Sequence, residues 1–86
     1  MQIDYSSNFK KRIKKLPQSI SEKFYIRLEI FLKDRFNPIL NNHKLHGEYE
    51  GFSSINVTGD YRAVFEYINE NYILFSDIGT HPELYE

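Results

Sequence analysis

The sequence predicts an α+β fold, in which a two-helix hairpin packs on one face of a mainly antiparallel sheet of about four strands. Apolar residues recur with helical spacing up to about residue 37, and from residue 43 onward they alternate with polar residues. Only a few residues separate the two helices, which favours an antiparallel hairpin. A chain of 86 residues fits one domain, residues 1–86, with a single modest core.

The N-terminal half is predicted to contain a short strand and two helices. The strand covers Gln2 to Tyr5, and Ser6 to Asn8 are possible caps for a helix that ends near Leu16, before Pro17. Ser19 and Glu22 have the spacing of a capping box, which opens the second helix. The buried stripes are Phe9, Ile13 and Leu16 in the first helix, and Phe24, Leu28, Phe31 and Leu32 in the second.

The C-terminal half is predicted to contain only strands. A short strand covers residues 44–46, and longer strands cover residues 52–57, 61–68 and 72–78. A polar loop at residues 69–71 joins the last two strands as a hairpin. Residues 79–82 break the last strand and leave a short tail.

The hairpin at residues 54–65 is the most informative stretch. Its alternation directs Ile55 and Val57 into the core and places Asn56 and Arg62 on an open face. An arginine on a rigid strand is a plausible clamp for an anion. It is equally well explained as the cross-strand partner of a carboxylate such as Glu66 or Asp77, and the local pattern leaves both interpretations open.

Composition excludes several classes of function. The chain has no cysteine and three histidines, and His43 and His46 are spaced so that a strand would place them on opposite faces. No metal site, phosphate-cradling glycine loop, nucleophile elbow or cofactor site is therefore expected. No apolar run approaches the ~20 residues of a membrane span, and we expect a cytoplasmic protein without membrane contact.

Charge is distributed unevenly along the chain. Residues 1–40 carry nine basic and four acidic side chains, a balance of +5, whereas residues 41–86 carry two and eight, a balance of −6. The basic half is the part expected to attract a polyanion.

The remaining polar residues suit acid–base chemistry without a metal. His43, Asp60, Arg62 and His81 could converge near one end of the sheet, where a histidine transfers protons and an arginine stabilises phosphate charge. Tyr61 and Tyr85 could stack on a nucleobase. This set suits cleavage of RNA, in which the 2′-hydroxyl is the nucleophile. Each residue also has an ordinary structural explanation as a surface, turn or core residue.

Several motifs together resemble the RelE/ParE superfamily of type II toxins, and most of all its YafQ-like branch of mRNA interferases. The motifs are HKLHG at residues 43–47, GF at 51–52, SINVTGDYR at 54–62 and IGTHPELY at 78–85. The likeness covers nearly the whole chain. It implies an endoribonuclease that cleaves mRNA without a metal, commonly on the ribosome, and that a cognate antitoxin protein inhibits.

The resemblance also assigns roles to residues. It implies catalytic roles for His43, Asp60, Arg62, His81 and Tyr85, and RNA contacts for Lys44, His46, Asn56 and Tyr61. Within that set, His81 is the expected general acid and His43, assisted by Asp60, a candidate base. The first helix, with Lys10, Lys11, Lys14 and Lys15, is expected to face ribosomal RNA or acidic segments of the antitoxin, and operator DNA is expected to be contacted only through the antitoxin.

Two positions depart from the YafQ pattern. Asn56 stands in place of a histidine and Asp77 in place of an arginine, and a carboxylate there is expected to repel phosphate. An alternative prediction is therefore a weakly active or inactive homologue that acts as an antitoxin-binding module. A further alternative is inhibition of gyrase, as in ParE-like toxins.

Overall fold

The computed structural model describes residues 1–85 and contains five strands and three α-helices. The strands are β1 (Gln2–Tyr5), β2 (His43–Lys44), β3 (Ser53–Asn56), β4 (Tyr61–Asn69) and β5 (Tyr72–Thr80). The helices are α1 (Ser7–Lys15), α2 (Gln18–Lys33) and α3 (His81–Tyr85), with 3-10 turns at Pro38–Leu40 and Gly47–Tyr49.

The strands form one mixed sheet in the order β1-β5-β4-β3-β2. β1 pairs with β5 in parallel, and all other pairs are antiparallel. The prediction of an α+β fold with a mainly antiparallel sheet is therefore confirmed. The sheet has five strands where about four were expected, because the N-terminal strand joins the edge of β5.

An aromatic core lies between α1, α2 and one face of the sheet. Phe75 is fully buried on β5, and its ring lies 5.2 Å from that of Phe24 and 5.9 Å from that of Phe9. Burial of rings this large supplies most of the stabilisation that a small domain can obtain. The predicted stripes are correct apart from Leu32, which is 47% exposed because it lies on the outer side of α2.

The two helices begin differently from each other. Ser6 caps α1, as predicted, and its Oγ accepts a hydrogen bond from the backbone N–H of Phe9. The predicted capping box of α2 is wrong: this helix begins at Gln18, directly after Pro17, and no side chain caps it. Pro17 is the N-cap residue of α2, and the Glu22 side chain accepts a hydrogen bond from Gln18 Nε2.

The C-terminal end is more ordered than the sequence predicted. β5 continues through Gly79 to Thr80, and residues 81–85 form α3 where a tail was expected. α3 packs on the face of the sheet that α1 and α2 do not cover, and Ser54, Val64 and Leu84 are all buried there. The prediction of an open polar face is therefore wrong for its central part.

Candidate functional site

The sheet register places several predicted site residues on the face that carries α3. Asn56 lies opposite Arg62 across the β3–β4 pair, and Arg62 lies opposite Gly79 across the β4–β5 pair. His43 lies opposite Ser54 across the β2–β3 pair. Because side chains alternate along a strand, His43, Asn56 and Arg62 share this face.

Hydrogen bonds from three parts of the chain hold α3 on that face. Glu83 Oε1 accepts hydrogen bonds from the backbone N–H of Thr80, at 2.7 Å, and from its hydroxyl, at 2.8 Å. The Tyr49 hydroxyl donates to the backbone carbonyl of Leu84, and the Tyr85 hydroxyl donates to Ser54 Oγ at 3.2 Å. A helix of five residues is not stable alone, so these contacts determine where its side chains lie.

α3 and the sheet enclose a cavity of about 300 Å³, which we call the central cavity. Its lining consists of Asn41, His43, Leu45, Arg62, His81 and Tyr85. Four of the five residues expected to be catalytic therefore meet in one place, although they come from β2, β4 and α3. The rings of His81 and Tyr85 pack edge to face at 4.7 Å.

His43 is oriented by its own loop. Its ring Nδ1 lies 2.7 Å from the backbone carbonyl of Asn41. A carbonyl only accepts hydrogen bonds, so Nδ1 carries the hydrogen and Nε2 is the basic nitrogen of the neutral ring. Asn41 adopts a left-handed backbone conformation, with φ of 47°, which asparagine tolerates better than most residues. Asn41 was not among the residues predicted from the sequence, although an asparagine directly after a helical turn is a recognisable signal for this conformation.

Arg62 is anchored by the turn that precedes its strand. Its Nη1 donates to the backbone carbonyls of Thr58 at 3.0 Å, Gly59 at 2.9 Å and Tyr61 at 3.2 Å. Within residues 1–85, Nε and Nη2 of Arg62 form no hydrogen bond and the guanidinium forms no ion pair. The interpretation of Arg62 as a partner of Glu66 or Asp77 is therefore wrong.

Asp77 has a partner that the sequence did not indicate. Its carboxylate forms an ion pair with Arg12 of α1, with Nε and Oδ1 3.0 Å apart, and the same oxygen accepts the backbone N–H of Ile78. Arg12 Nη1 also lies 3.8 Å from Glu83 Oε2. Arg12 therefore offsets part of the negative charge expected to repel phosphate, because it faces the carboxylates of both Asp77 and Glu83. Contacts between α1 and β5 depend on the tertiary fold, and no short motif predicts them.

The structure separates the other predicted residues from the central cavity. Asp60 and Tyr61 line a depression of about 430 Å³ that also includes His81, and the backbone N–H of His81 donates to the Asp60 carbonyl at 3.2 Å. Asp60 therefore lies beside His81, whereas it was expected to assist His43. Lys44 and His46 line another depression, in which His46 Nδ1 lies 3.8 Å from Glu50.

Asn56 has an unusual environment for a residue expected to contact RNA. Its Oδ1 is buried without a hydrogen-bond partner, and its backbone carbonyl accepts a bond from Arg27 Nη1 at 3.4 Å. A buried acceptor without a donor raises the free energy of the folded state. No three His, Asp or Glu side chains within residues 1–85 are grouped so that they could hold a metal ion. Over the same residues, no helix is long and apolar enough to cross a membrane.

Comparison with known proteins identifies the family. A protein-family model that describes the bacterial toxin YafQ of type II toxin–antitoxin systems matches residues 1–86. The chain belongs to the YafQ toxin family. It is thus a toxin of the type II toxin–antitoxin class, and the predicted resemblance to the YafQ-like toxins is confirmed. No curated protein sequence matches the chain.

Solved structures support the same fold for this YafQ-family toxin. YafQ from Escherichia coli strain BL21(DE3) superposes with a TM-score of 0.83 at 18% identity, covering 99% of this chain and 98% of that one. YafQ in the E. coli DinJ-YafQ complex gives 0.73 at 21% identity, with coverage of 99% and 98%. A YoeB/ParE toxin from Agrobacterium tumefaciens gives 0.77 at 14% identity, with coverage of 94% and 99%.

Glu83 offers a test of how α3 of this YafQ-family toxin is held. The hydrogen bonds from the Thr80 backbone and hydroxyl lower the pKa of Glu83 from 4.5; burial opposes this shift, and the charge of Arg12 adds a smaller lowering. A lowered pKa in the folded state stabilises the protein above pH 4.5, and this contribution is lost as pH falls through the folded value. We expect Glu83→Ala to lower the urea midpoint at pH 7 and to lower it by less at pH 3.

The control for this experiment is Glu70→Ala, which removes an exposed carboxylate in the β4–β5 turn. Its urea midpoint should match that of the unmodified chain at both pH values. An equal effect of Glu83→Ala at pH 7 and pH 3 would show that the charge of Glu83 does not hold α3.

Proposed function

We propose that this YafQ-family toxin is a metal-independent endoribonuclease that cleaves mRNA in the cytoplasm, on translating ribosomes, and so inhibits translation. The observation that supports this is the meeting of two histidines, an arginine and a tyrosine in the central cavity. A base, an acid and a phosphate-binding cation are the groups that transesterification of RNA requires.

In the proposed reaction, His43 Nε2 removes the proton of the 2′-hydroxyl. The 2′-oxygen attacks the adjacent phosphorus, and the bond from phosphorus to the 5′-oxygen breaks. His81 donates a proton to that leaving oxygen. The products are one RNA end with a 2′,3′-cyclic phosphate and another with a 5′-hydroxyl. The step therefore balances without a water molecule, and it uses no metal.

Arg62 is proposed to stabilise the charge of the phosphate during this step. Its Nη1 holds the turn carbonyls, and Nε and Nη2 remain as two donors on the same rigid plane. Two parallel N–H donors match two phosphate oxygens. Because the guanidinium is already fixed, little conformational entropy is lost when the phosphate binds.

The aromatic residues are proposed to position the nucleotide. Tyr85 lines the central cavity, and Tyr61 lies in the neighbouring depression with Asp60. Asp60 is proposed to act on the His81 side of the site, and the hydrogen bond from the His81 N–H to the Asp60 carbonyl supports this. Stacking on such rings is sequence-tolerant, since every base has a flat face.

The proposed protein partner is an antitoxin, as in the DinJ-YafQ toxin–antitoxin complex of E. coli. The exposed lysines of α1, which are Lys10, Lys11, Lys14 and Lys15, are proposed to contact acidic antitoxin segments or ribosomal RNA. Operator DNA would be reached only through the antitoxin. An inactive antitoxin-binding module is the second candidate, and the ion pair between Arg12 and Asp77 weakens the main reason for it.

Substrates that lack the attacking group test this proposal. The toxin is added to a translation extract, and the cleavage site in the mRNA is mapped. A single 2′-deoxynucleotide at the position 5′ to the break is expected to abolish cleavage there, because the nucleophile is missing.

A 2′-deoxynucleotide placed three positions away is the control and should leave cleavage intact. Cleavage at the deoxy position would rule out attack by the 2′-hydroxyl. Failure of the toxin to cleave any mRNA in the extract would favour the antitoxin-binding module.

A further inference from the structure

A groove on the edge strand β2 adjoins the central cavity. It consists of two depressions, of about 400 Å³ and about 200 Å³, that share Lys44, Ser53 and Tyr67. We call this pair of depressions the edge groove. The two sites meet at two residues of this edge: His43 lines the smaller depression and the central cavity, and Leu45 lines the larger depression and the central cavity.

The charge of the edge groove differs from that of its surroundings. Residues 41–86 contain only two basic side chains, Lys44 and Arg62, against eight acidic ones. Arg62 lines the central cavity and Lys44 lines the edge groove. Arg35 adds a second cation to the groove, and Glu50 is the acidic residue that lines it. The positive charge in this half of the chain is thus concentrated where a phosphate backbone could follow it.

Aromatic rings accompany these cations. Phe36 lines the smaller depression and is 69% exposed, the largest exposure among the large apolar side chains of residues 1–85. The Arg35 guanidinium lies 5.5 Å from the centre of the Tyr67 ring, and Asn42 Nδ2 donates to the Tyr67 hydroxyl at 3.4 Å. Exposed rings beside fixed cations are typical of sites that bind single-stranded nucleic acid.

We propose that the edge groove binds the nucleotide next to the dinucleotide held in the central cavity, with its base on Phe36 and its phosphate on Lys44. The inference rests on the proposed function, because it assumes that RNA enters the central cavity. RNA is preferred over a protein segment as the occupant because the groove combines two cations with open aromatic surface. The toxin would then contact at least three adjacent nucleotides.

The test compares RNAs of two lengths. The double variant Phe36→Ala/Lys44→Ala is titrated with an uncleavable 2′-deoxy-substituted dinucleotide and with a hexanucleotide that contains the same dinucleotide at its centre. We expect the affinity for the hexanucleotide to fall by roughly 10–100-fold, since a stacked base and a phosphate contact are lost. The affinity for the dinucleotide should change by less than about twofold, because it fills only the central cavity. The salt dependence of hexanucleotide binding should decrease by about 0.7 in log–log slope.

The control is Lys23→Ala/Ile68→Ala, which removes an exposed lysine and an exposed apolar side chain that do not line the groove. It should bind both RNAs as the unmodified chain does, and circular dichroism should show that both double variants are folded. Equal losses for the two RNAs, or no loss for either, would overturn the inference. The inference would also be overturned if Phe36→Ala/Lys44→Ala bound RNA normally but associated less with other copies of the chain. That result would make the groove a protein-binding surface.

The two proposals can fail separately. If the unmodified toxin cleaves mRNA and the hexanucleotide loses no affinity, only the edge-groove inference is wrong. If the toxin cleaves nothing but the hexanucleotide still loses affinity selectively, the groove binds RNA and the proposed cleavage is wrong.

Discussion

Replacement of His81 by alanine is expected to lower the rate of mRNA cleavage by roughly 10²–10⁴, the usual cost of losing a general acid. His81 lies at the first position of α3 and lines both the central cavity and the depression with Asp60. Its side chain is exposed, so removal should leave the fold intact. The measurement is single-turnover cleavage of an mRNA fragment, together with the thermal midpoint of the variant.

Two comparisons make this experiment specific. Arg62→Lys keeps a donor for the turn carbonyls but loses the planar pair of N–H groups, so we expect a loss of the same order with little change in midpoint. The control Lys33→Ala, an exposed cation at the end of α2, should cleave at the normal rate. A fully active His81→Ala variant would show that His81 is not the general acid.

Replacement of Phe75 by alanine is expected to remove most of the stability of the fold. The Phe75 ring lies within 6.2 Å of five other aromatic rings, which belong to Tyr5, Phe9, Phe24, Phe31 and Phe65. Truncation of a buried phenylalanine costs about 3–5 kcal/mol, which is comparable with the whole stability of many small domains. We expect the thermal midpoint to fall by about 12–40 °C.

Phe36→Ala is the matched control, because it removes the same group from an exposed position. Its midpoint should stay within a few degrees of that of the unmodified chain, and Phe75→Leu should fall between the two. A Phe75→Ala variant as stable as Phe36→Ala would contradict the central place of Phe75 in the core.

The parts of the fold that follow from local pattern were predictable. Alternation located Ile55 and Val57 on the buried face, and both are fully buried. The same alternation could not show that Ser54 and Val64 on the other face would also be buried. Their burial depends on α3, which packs on them from some twenty to thirty residues further along the chain. A periodic pattern identifies two faces of a strand but does not say what covers each of them.

The sequence could predict which residues belong to the candidate site, but not how the tertiary fold arranges them and their partners. The sequence indicated His43, Arg62 and His81, and the structure brings these three together. It did not indicate that Arg12 would pair with Asp77, because the two residues are 65 positions apart and on different elements. Of the features that the sequence analysis missed, the anchoring of α3 had the clearest signal in the sequence. Thr80 and Glu83 have the spacing of a capping box, but Pro82 between them favoured a chain break.

The position of β5 between β1 and β4 has a consequence for the synthesis of this toxin. β1 is synthesised well before β5, its partner in the sheet. The aromatic core also depends on Phe75 of β5, and α3 follows that strand. Contacts this distant in sequence form only when both segments have left the ribosome. A growing chain therefore lacks the assembled cavity until β5 and α3 have emerged from the ribosome.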